Sequence, residues 1–357
     1  MDQRETGRSA QRARRRPLAV DLTLIGLGFV VLAGALWATV SVLYNQLYSP
    51  SAFAGRYVGL LAEGRAAEAL AVPGVAVDSV ELEAAGLPMT ASDALLRQAA
   101  LAPITDIEVV SESTDPDSGI TTVAVSYRAA GYPGTTSFAV EQDGWVGPAP
   151  TWRFARSPLA VMQLAVGGSM SFDVNGFTID KRQVSVDGMD ADPTAPLPML
   201  VFSPGIYSVS VDTSISSSPG VAVLSDSPFR EIPVSIQARA TEQFISVVQE
   251  RVTEFLDACA TQEVLQPTSC PFGYVLQDRV VSAPAWSITA HPAVDVVPSG
   301  AVWSIPAAQA TATLEVDVKS LFDGTIYHLS ETVPFTVTGT ITVLPDGSVS
   351  IAVGGQG

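Results

Sequence analysis

The stretch LTLIGLGFVVLAGALWATVSVL, residues 22–43, runs for 22 residues without a formal charge. As a helix rising about 1.5 Å per residue it would be roughly 33 Å long, enough to cross a bilayer core of about 30 Å. Everything else in the chain sorts by the side of this segment on which it lies. Six arginines precede it (Arg4, Arg8, Arg12, Arg14, Arg15 and Arg16), against Asp2 and Glu5, and the next arginine after it is Arg56. The positive-inside rule then places the N-terminus in the cytoplasm and the C-terminal domains outside. Trp37, Tyr44 and Tyr48 fall toward the outer interface, where amphipathic rings are favoured. A cleaved signal peptide would have an apolar core of about 7–15 residues ending in a small-x-small site. Here the run passes through AGALWATVSVL into bulky residues. The expectation is a basic cytoplasmic tail over 1–17 and an uncleaved transmembrane signal anchor over 18–44. Asp21 lies at the cytoplasmic edge, where a charge is tolerated.

The 357 residues leave room for two or three domains beyond the anchor. A hydrophobic content of 47% with 15% charged residues argues for folded cores rather than disorder. From residue 45 onward there are 13 Lys and Arg against 33 Asp and Glu, a net of −20. So acidic an exterior repels nucleic acid and tolerates basic partners. Cys259 and Cys270 are the only cysteines. Close together and outside a reducing cytosol, they are expected to form a disulfide. With two histidines in the chain they lack the partners for a zinc site.

Beyond the anchor, SerPro at 49–50 ends the first helix and Ser51 is placed to cap a second. Phe53, Tyr57, Leu60 and Leu61, then Ala67, Leu70 and Ala71, repeat at helical spacing. Gly64 leaves open one weakened helix or two short ones meeting at 63–65. A short helix is expected over 92–100, followed by strands over 106–110, 121–127, 135–140 and 151–154. AspProAspSerGly (115–119), TyrProGly (132–134) and AspGly (143–144) would separate them. Helix followed by meander makes an α+β module over 48–157, with the helix on one sheet face.

AFAGRYVGLLAEGRAAEAL, with ALLRQA and ITDIEVV after it, resembles the cone-shaped nuclear-transport-factor-2-like superfamily over roughly residues 50–156. That superfamily includes small-molecule enzymes, which use an Asp, His or Tyr facing the cone interior, and pocketless extracytoplasmic modules. Tyr57, Asp78 and Asp93 are the residues the resemblance would nominate.

From residue 158 to 238 the texture is all-β and predicts a small β-sandwich. AsnGly at 175–176 between alternating residues is a strong hairpin signal. Further strands are expected at 183–186, 199–202, 207–211, 221–224 and 232–238. ValAsnGly followed by SerProGlyIleTyr (203–207) resembles the β-domains of TcaA-like (teicoplanin-resistance-associated) membrane proteins. Those also carry an N-terminal anchor and cone-like modules outside, together with a cytoplasmic zinc ribbon that has no counterpart here. Asp187, Asp190 and Asp192 invite a calcium reading, yet they lack the 1, 3, 5 spacing and the closing glutamate of an EF-hand loop.

The last unit, 239–357, opens with an apolar stripe: Phe244, Val247, Val248, Val252, Phe255, Leu256 and Cys259. The expected disulfide pins this helix to the following loop. Strands are expected at 286–290, 310–318, 327–331, 335–343 and 348–353, the last two joined by ProAspGly (345–347). This repeats the plan of the first unit, a second helix-plus-meander α+β module flanking the sandwich.

Signals of chemistry are sparse. His291 precedes a proline and His328 lies within TIYHLSE, neither with a nucleophile motif. No phosphate-binding glycine loop is present. Trp145, Trp152, Trp286 and Trp303 lie near strand ends or turns, where packing competes with glycan binding. No catalytic, cofactor or metal residue is nominated. The expected function is non-enzymatic: a single-pass, membrane-anchored cell-envelope protein that binds or scaffolds through its extracytoplasmic domains. Its expected partners are the lipid bilayer and a cell-wall polymer or envelope protein. The alternative is a small-molecule or enzymatic pocket in the first unit's cone, which would need convergent polar groups in its interior.

Overall fold

The computed structural model describes residues 18–344 and 349–354. Over these the protein is mixed α+β, mostly sheet with few helices. The basic tail and the ProAspGly turn at 345–347 lie outside the described residues. The first helix, α1 (Leu18–Tyr48), is 31 residues long. Its described side chains are those at 23, 26–39 and 46–48. Among the described residues, no helix is long and apolar enough to cross a membrane.

Ser49 breaks the helix. Its backbone is extended, its hydroxyl accepts from the Ala52 N–H, and Pro50 stands at the first position of α2 (Pro50–Ala62). That is an ordinary N-cap with proline at N1. Ser51, the expected cap, instead donates through its hydroxyl to Glu112. Gly64 takes φ +71°, which stops α2 and lets α3 (Ala66–Leu70) start separately. Of the two alternatives left open by the sequence, the pair of short helices is the one formed.

Four antiparallel strands follow in simple order: β1 (Ile104–Thr114), β2 (Thr121–Ala129), β3 (Tyr132–Val146) and β4 (Ala149–Phe154). On β2, Thr121, Val123, Val125, Tyr127 and Ala129 point inward in strict alternation and meet α2. AspProAspSerGly turns as expected between β1 and β2. The other two turns differ. The β2–β3 reversal is made by Ala130 (φ 44°) and Gly131 (φ 87°), while TyrProGly pairs with β2 inside β3. AspGly at 143–144 forms a bulge in β3, and the chain reverses at Gly147 instead.

The helix expected over 92–100 is also corrected. Only Gln98–Ala100 forms a 3-10 turn, and Ser92 bridges to Met199 through hydrogen bonds with Pro198 and Leu200. The apolar spacing of Ala94 and Leu95 there serves burial of an irregular segment. A helix missed in the sequence, α4 (Ser79–Ala84), begins with a capping box in which Asp78 and Glu81 each hold the other's N–H.

The middle of the chain forms β5 (Leu159–Gly167), β6 (Ser171–Val174), β7 (Phe177–Asp180), α5 (Lys181–Val184), β8 (Leu197–Phe202), β9 (Gly205–Ser210), β10 (Ser216–Ser217), β11 (Val221–Ser225), β12 (Glu231–Gln237) and β13 (Arg239–Ala240). Two sheets, β11-β9-β6-β7 and β12-β5-β8, enclose a shared core of Met162, Leu164, Phe172, Val174, Met199, Val201, Tyr207 and Val209. The strand expected at 183–186 is replaced by α5. Asp180 caps that helix and pairs with Arg182, so the chain coils before it can extend. AsnGly does make the β6–β7 hairpin, with φ 53° and 83° at Asn175 and Gly176.

This part interlocks with the preceding one. Leu95 and Ala100 enter the core between the two sheets, while Leu159, Phe202 and Ile206 join the core under α2.

The third part starts at α6 (Glu242–Ala260), capped by Thr241. Phe244, Val248, Val252, Leu256 and Cys259 are buried as the stripe predicts, but Val247 is exposed. The helix lies on a six-stranded sheet of β14 (Arg279–Val280), β15 (Ala285–Ala290), β16 (Val297–Ser299), β17 (Val302–Lys319), β18 (Ile326–Val343) and β19 (Val349–Gly354). The first three strands pair in succession along one side of β17. The two strands expected over 327–331 and 335–343 are one, because β18 runs straight through Pro334. Pro334 faces Thr311 of β17, and pairing with β19 starts only at Thr338, so the missing N–H costs no ladder bond. Cys259 and Cys270 are bridged, with Cα atoms 5.9 Å apart.

Candidate functional site

The interior that the alternative reading would need for a ligand is filled. Tyr57 packs edge-on against Phe154 (ring centroids 5.1 Å apart) and Phe138 (5.8 Å), and Phe53 covers Phe154 at 4.9 Å. Val123, Val125 and Val140 close the remaining space from the sheet. The Tyr57 hydroxyl donates to the Ser203 carbonyl at 3.2 Å, and burial pushes its phenol well above the usual range. This tyrosine ties two parts of the chain together in a dry setting. Asp78 is spent on capping α4. Asp93 is exposed on the segment after α4. Asp78 and Asp93 share a shallow depression of about 470 Å³ against the middle sheets, and Tyr57 takes no part in it.

The acidic triplet has a different organiser. Asp187, Asp190 and Asp192 are exposed, and Thr194 donates to Asp192 from both its N–H and hydroxyl, which holds that carboxyl below its usual range. The loop is fastened by Lys181, which is buried and donates to the carbonyls of Asp192 and Ala195. Burial lowers the ammonium's pKa. A lysine under the loop disfavours a cation in the same place. Among the described residues, no group of three or more His, Cys, Asp or Glu is placed to hold a metal ion.

Each histidine contacts one aspartate: His291 Nε2 lies 2.8 Å from Asp257, and His328 Nδ1 lies 2.9 Å from Asp317. The nearby Ser282 hydroxyl accepts from the Asp317 backbone N–H. Nucleophilic catalysis would need a hydroxyl or thiol against the imidazole. Among the described residues neither ring has one. The tryptophans divide by depth. Trp286 and Trp303 are core residues, against Phe272 and Phe244 respectively. Trp152 is half-buried and donates from its indole N–H to the Tyr48 carbonyl at 2.8 Å. Trp145 is 63% exposed.

A concavity lies outside the filled interior. It is a cleft of about 650 Å³ between the end of β4, α4 and Phe229. Arg153 and Arg156 stand on its wall, with Glu81, Ser157 and the backbone of Gly74. Arg153 contacts Glu141 at 3.4 Å, whereas Arg156 makes no ion pair among the described residues. Phe229 holds φ 56°, a conformation costly for a bulky side chain, fixed by the Phe229 N–H donating to the Leu159 carbonyl. On a chain so acidic, two arginines on one wall could receive a carboxylate or phosphate. Sequence reading missed this cleft, because Arg153 and Arg156 meet Phe229 only through the fold.

No match is found among family models, curated proteins or solved structures. The nuclear-transport-factor-2-like and TcaA-like resemblances therefore rest on sequence pattern alone. A further surface stands out at the turn between β17 and β18, where Leu321 is 72% and Phe322 98% exposed. Tyr327 donates to Asp278, and Asp278 accepts from the Leu321 N–H, so the turn is braced.

Proposed function

We propose that the protein is a single-pass, membrane-anchored cell-envelope protein that binds or scaffolds without catalysing a reaction. In this reading α1 is the anchor with its N-terminus in the cytoplasm. The extracytoplasmic part comprises a nuclear-transport-factor-2-like module, a small β-sandwich and a second helix-plus-meander module. A cell-wall polymer or another envelope protein is the partner.

One observation carries the reading. Leu27, Phe29, Val30, Val31, Leu32, Leu36 and Trp37 of α1 are all 62–79% exposed, with none of the described residues laid over them. Four of them are consecutive, so at about 100° per residue they cover every side of the helix. An isolated helix that is apolar all round is at home in lipid and unstable in water. The uncharged run over 22–43 and the arginines before it agree with this. The disulfide fits an oxidising exterior. The filled interior around Tyr57 favours binding at the surface over chemistry in a pocket.

The test has two stages. The full chain should stay with membranes through alkaline carbonate extraction, and added protease should degrade everything beyond residue 48 from outside. In nanodiscs it should then be retained by insoluble cell-wall material. Release by carbonate sinks the anchor. Failure to bind any wall fraction, with an envelope protein recovered by cross-linking instead, sinks the polymer version.

A further inference from the structure

Among the described residues the first sheet meets the end of α1 at Trp152, and the chemistry there is distinctive. Between Asp143 and Arg153 the chain reads GWVGPAPTW, nine residues without a charge and with two tryptophans, in a chain that is otherwise strongly acidic. This run is the hairpin joining β3 to β4: Trp145 faces Pro150 and Val146 faces Ala149 across the ladder. Trp145 is 63% and Val146 71% exposed. Leu47 (53%) and Tyr48 (41%), at the end of α1, are exposed beside it. Scattered exposed apolar residues are ordinary, but a collar of them with no charge among them marks an interaction surface.

The direction of the hairpin is fixed by two contacts. Trp152 donates to the carbonyl of Tyr48, the last residue of α1. Two residues later Phe154 packs on Phe53 in the first turn of α2. β4 therefore runs past the junction of the two helices, with Trp152 at the end of α1 and Phe154 at the start of α2. From Trp152 to Ala149 is three residues, about 10 Å of strand. From Leu43, where the uncharged run ends, to Tyr48 is five residues, about 7.5 Å of helix. A headgroup layer is roughly 5–8 Å thick on each side of the hydrocarbon. Both spans are short, so the hairpin tip stays close to the end of the apolar part of α1.

We infer that the β3–β4 hairpin is a second membrane contact, with Trp145 and Val146 seated in the outer headgroup layer of the bilayer that α1 crosses. The occupant of this surface is lipid, because the tip is continuous with the helix end and carries the aromatic and aliphatic groups favoured at that depth. The absence of lysine and arginine from the tip makes the contact independent of anionic lipid. This inference rests on the anchor reading of α1. It adds that the first sheet lies against the membrane at a fixed tilt instead of swinging on a tether.

Since Cys259 and Cys270 are bridged, a single added cysteine is the only free thiol for labelling. The full chain carrying Val146→Cys, labelled with an environment-sensitive nitrobenzoxadiazole dye, is reconstituted into neutral phosphatidylcholine vesicles. Leu32→Cys reports on the anchor, and Val275→Cys, 78% exposed in the third part, reports on bulk water. The expected result is emission at shorter wavelength for the 32 and 146 labels but not the 275 label. The 146 label should be quenched more by lipid spin-labelled near the headgroup than by lipid spin-labelled deep in the chain, and Trp145→Glu should abolish its shift. A water-like 146 label beside a lipid-like 32 label overturns the hairpin contact and leaves the anchor standing. A water-like 32 label overturns both. A shift of the 146 label that grows with the protein-to-lipid ratio overturns the lipid assignment in favour of a second copy of the chain.

Discussion

Asn175 offers the sharpest test of how the first two parts are joined. Its side-chain amide donates to the Ala100 and Ile206 carbonyls, both at 2.8 Å, and its carbonyl accepts from the Ser208 N–H at 2.8 Å. The residue also sits at φ 53° in the β6–β7 turn. Each hydrogen bond contributes about 1 kcal/mol net, and a left-handed conformation costs alanine about 1 kcal/mol more than glycine. Asn175→Gly, which keeps the turn but loses the amide, should therefore cost about 3 kcal/mol, and Asn175→Ala about 4 kcal/mol. Hydrogen exchange of peptides covering 94–103 and 171–180, with the full chain in a mild detergent, reads the loss directly. A cost of 3 kcal/mol raises the opening equilibrium roughly 150-fold, and the extra 1 kcal/mol for alanine adds about fivefold. Both peptides should respond, because one amide holds both segments. If Asn175→Gly exchanges at the wild-type rate, the amide network carries no weight. If only 171–180 responds, the amide belongs to the hairpin and does not join the two parts.

Three further outcomes are expected. Gly74→Ala should abolish folding of the first part, since φ is +79° and the new Cβ would lie 2.3 Å from the Phe154 carbonyl oxygen; Gly176→Ala, at φ +83° with nothing within 4 Å, should cost only about 1 kcal/mol, and thermal melts of the pair decide this. Replacing Cys259 and Cys270 together by serine should destabilise the third part by about 3 kcal/mol in denaturant titration, as expected for a closed loop of about a dozen residues. Tyr57 and Tyr207 are both raised by burial, so the unfolded chain releases their protons first and stability falls as pH climbs past 10. In an alkaline absorbance titration, part of the eight-tyrosine signal should therefore appear only as structure is lost.

The sequence revealed most where local chemistry leaves one option. AsnGly at 175–176 could only reverse the chain, and the stripe from Phe244 to Cys259 had the length and period of a helix. Prediction failed where distant partners decided. Ser92 looked like a helix start, yet its hydrogen bonds go to Pro198 and Leu200, more than a hundred residues away. Two strands were expected on either side of 332–334, yet Pro334 lies within one strand, before its pairing with β19 begins at Thr338. The β2–β3 turn uses Ala130 at positive φ, a conformation its residue type does not announce. The α4 helix could have been found: Asp78 and Glu81 stand at capping-box spacing in plain view. As for the site, the sequence pointed into the cone through Tyr57, Asp78 and Asp93. Only packing reveals that the interior under α2 is full and that Arg153 and Arg156 face a cleft with Phe229.

The exchange of core residues between the first two parts has a mechanical consequence. Leu95 and Ala100 are plugs in one core, and Leu159, Phe202 and Ile206 are plugs in the other. Neither core can rotate against its neighbour without drawing these plugs into water, at roughly 1.5–3 kcal/mol for each large side chain. The pair moves as one lever with α1 as its fulcrum. A load on the outer sheets would reach α1 as torque on a single helix.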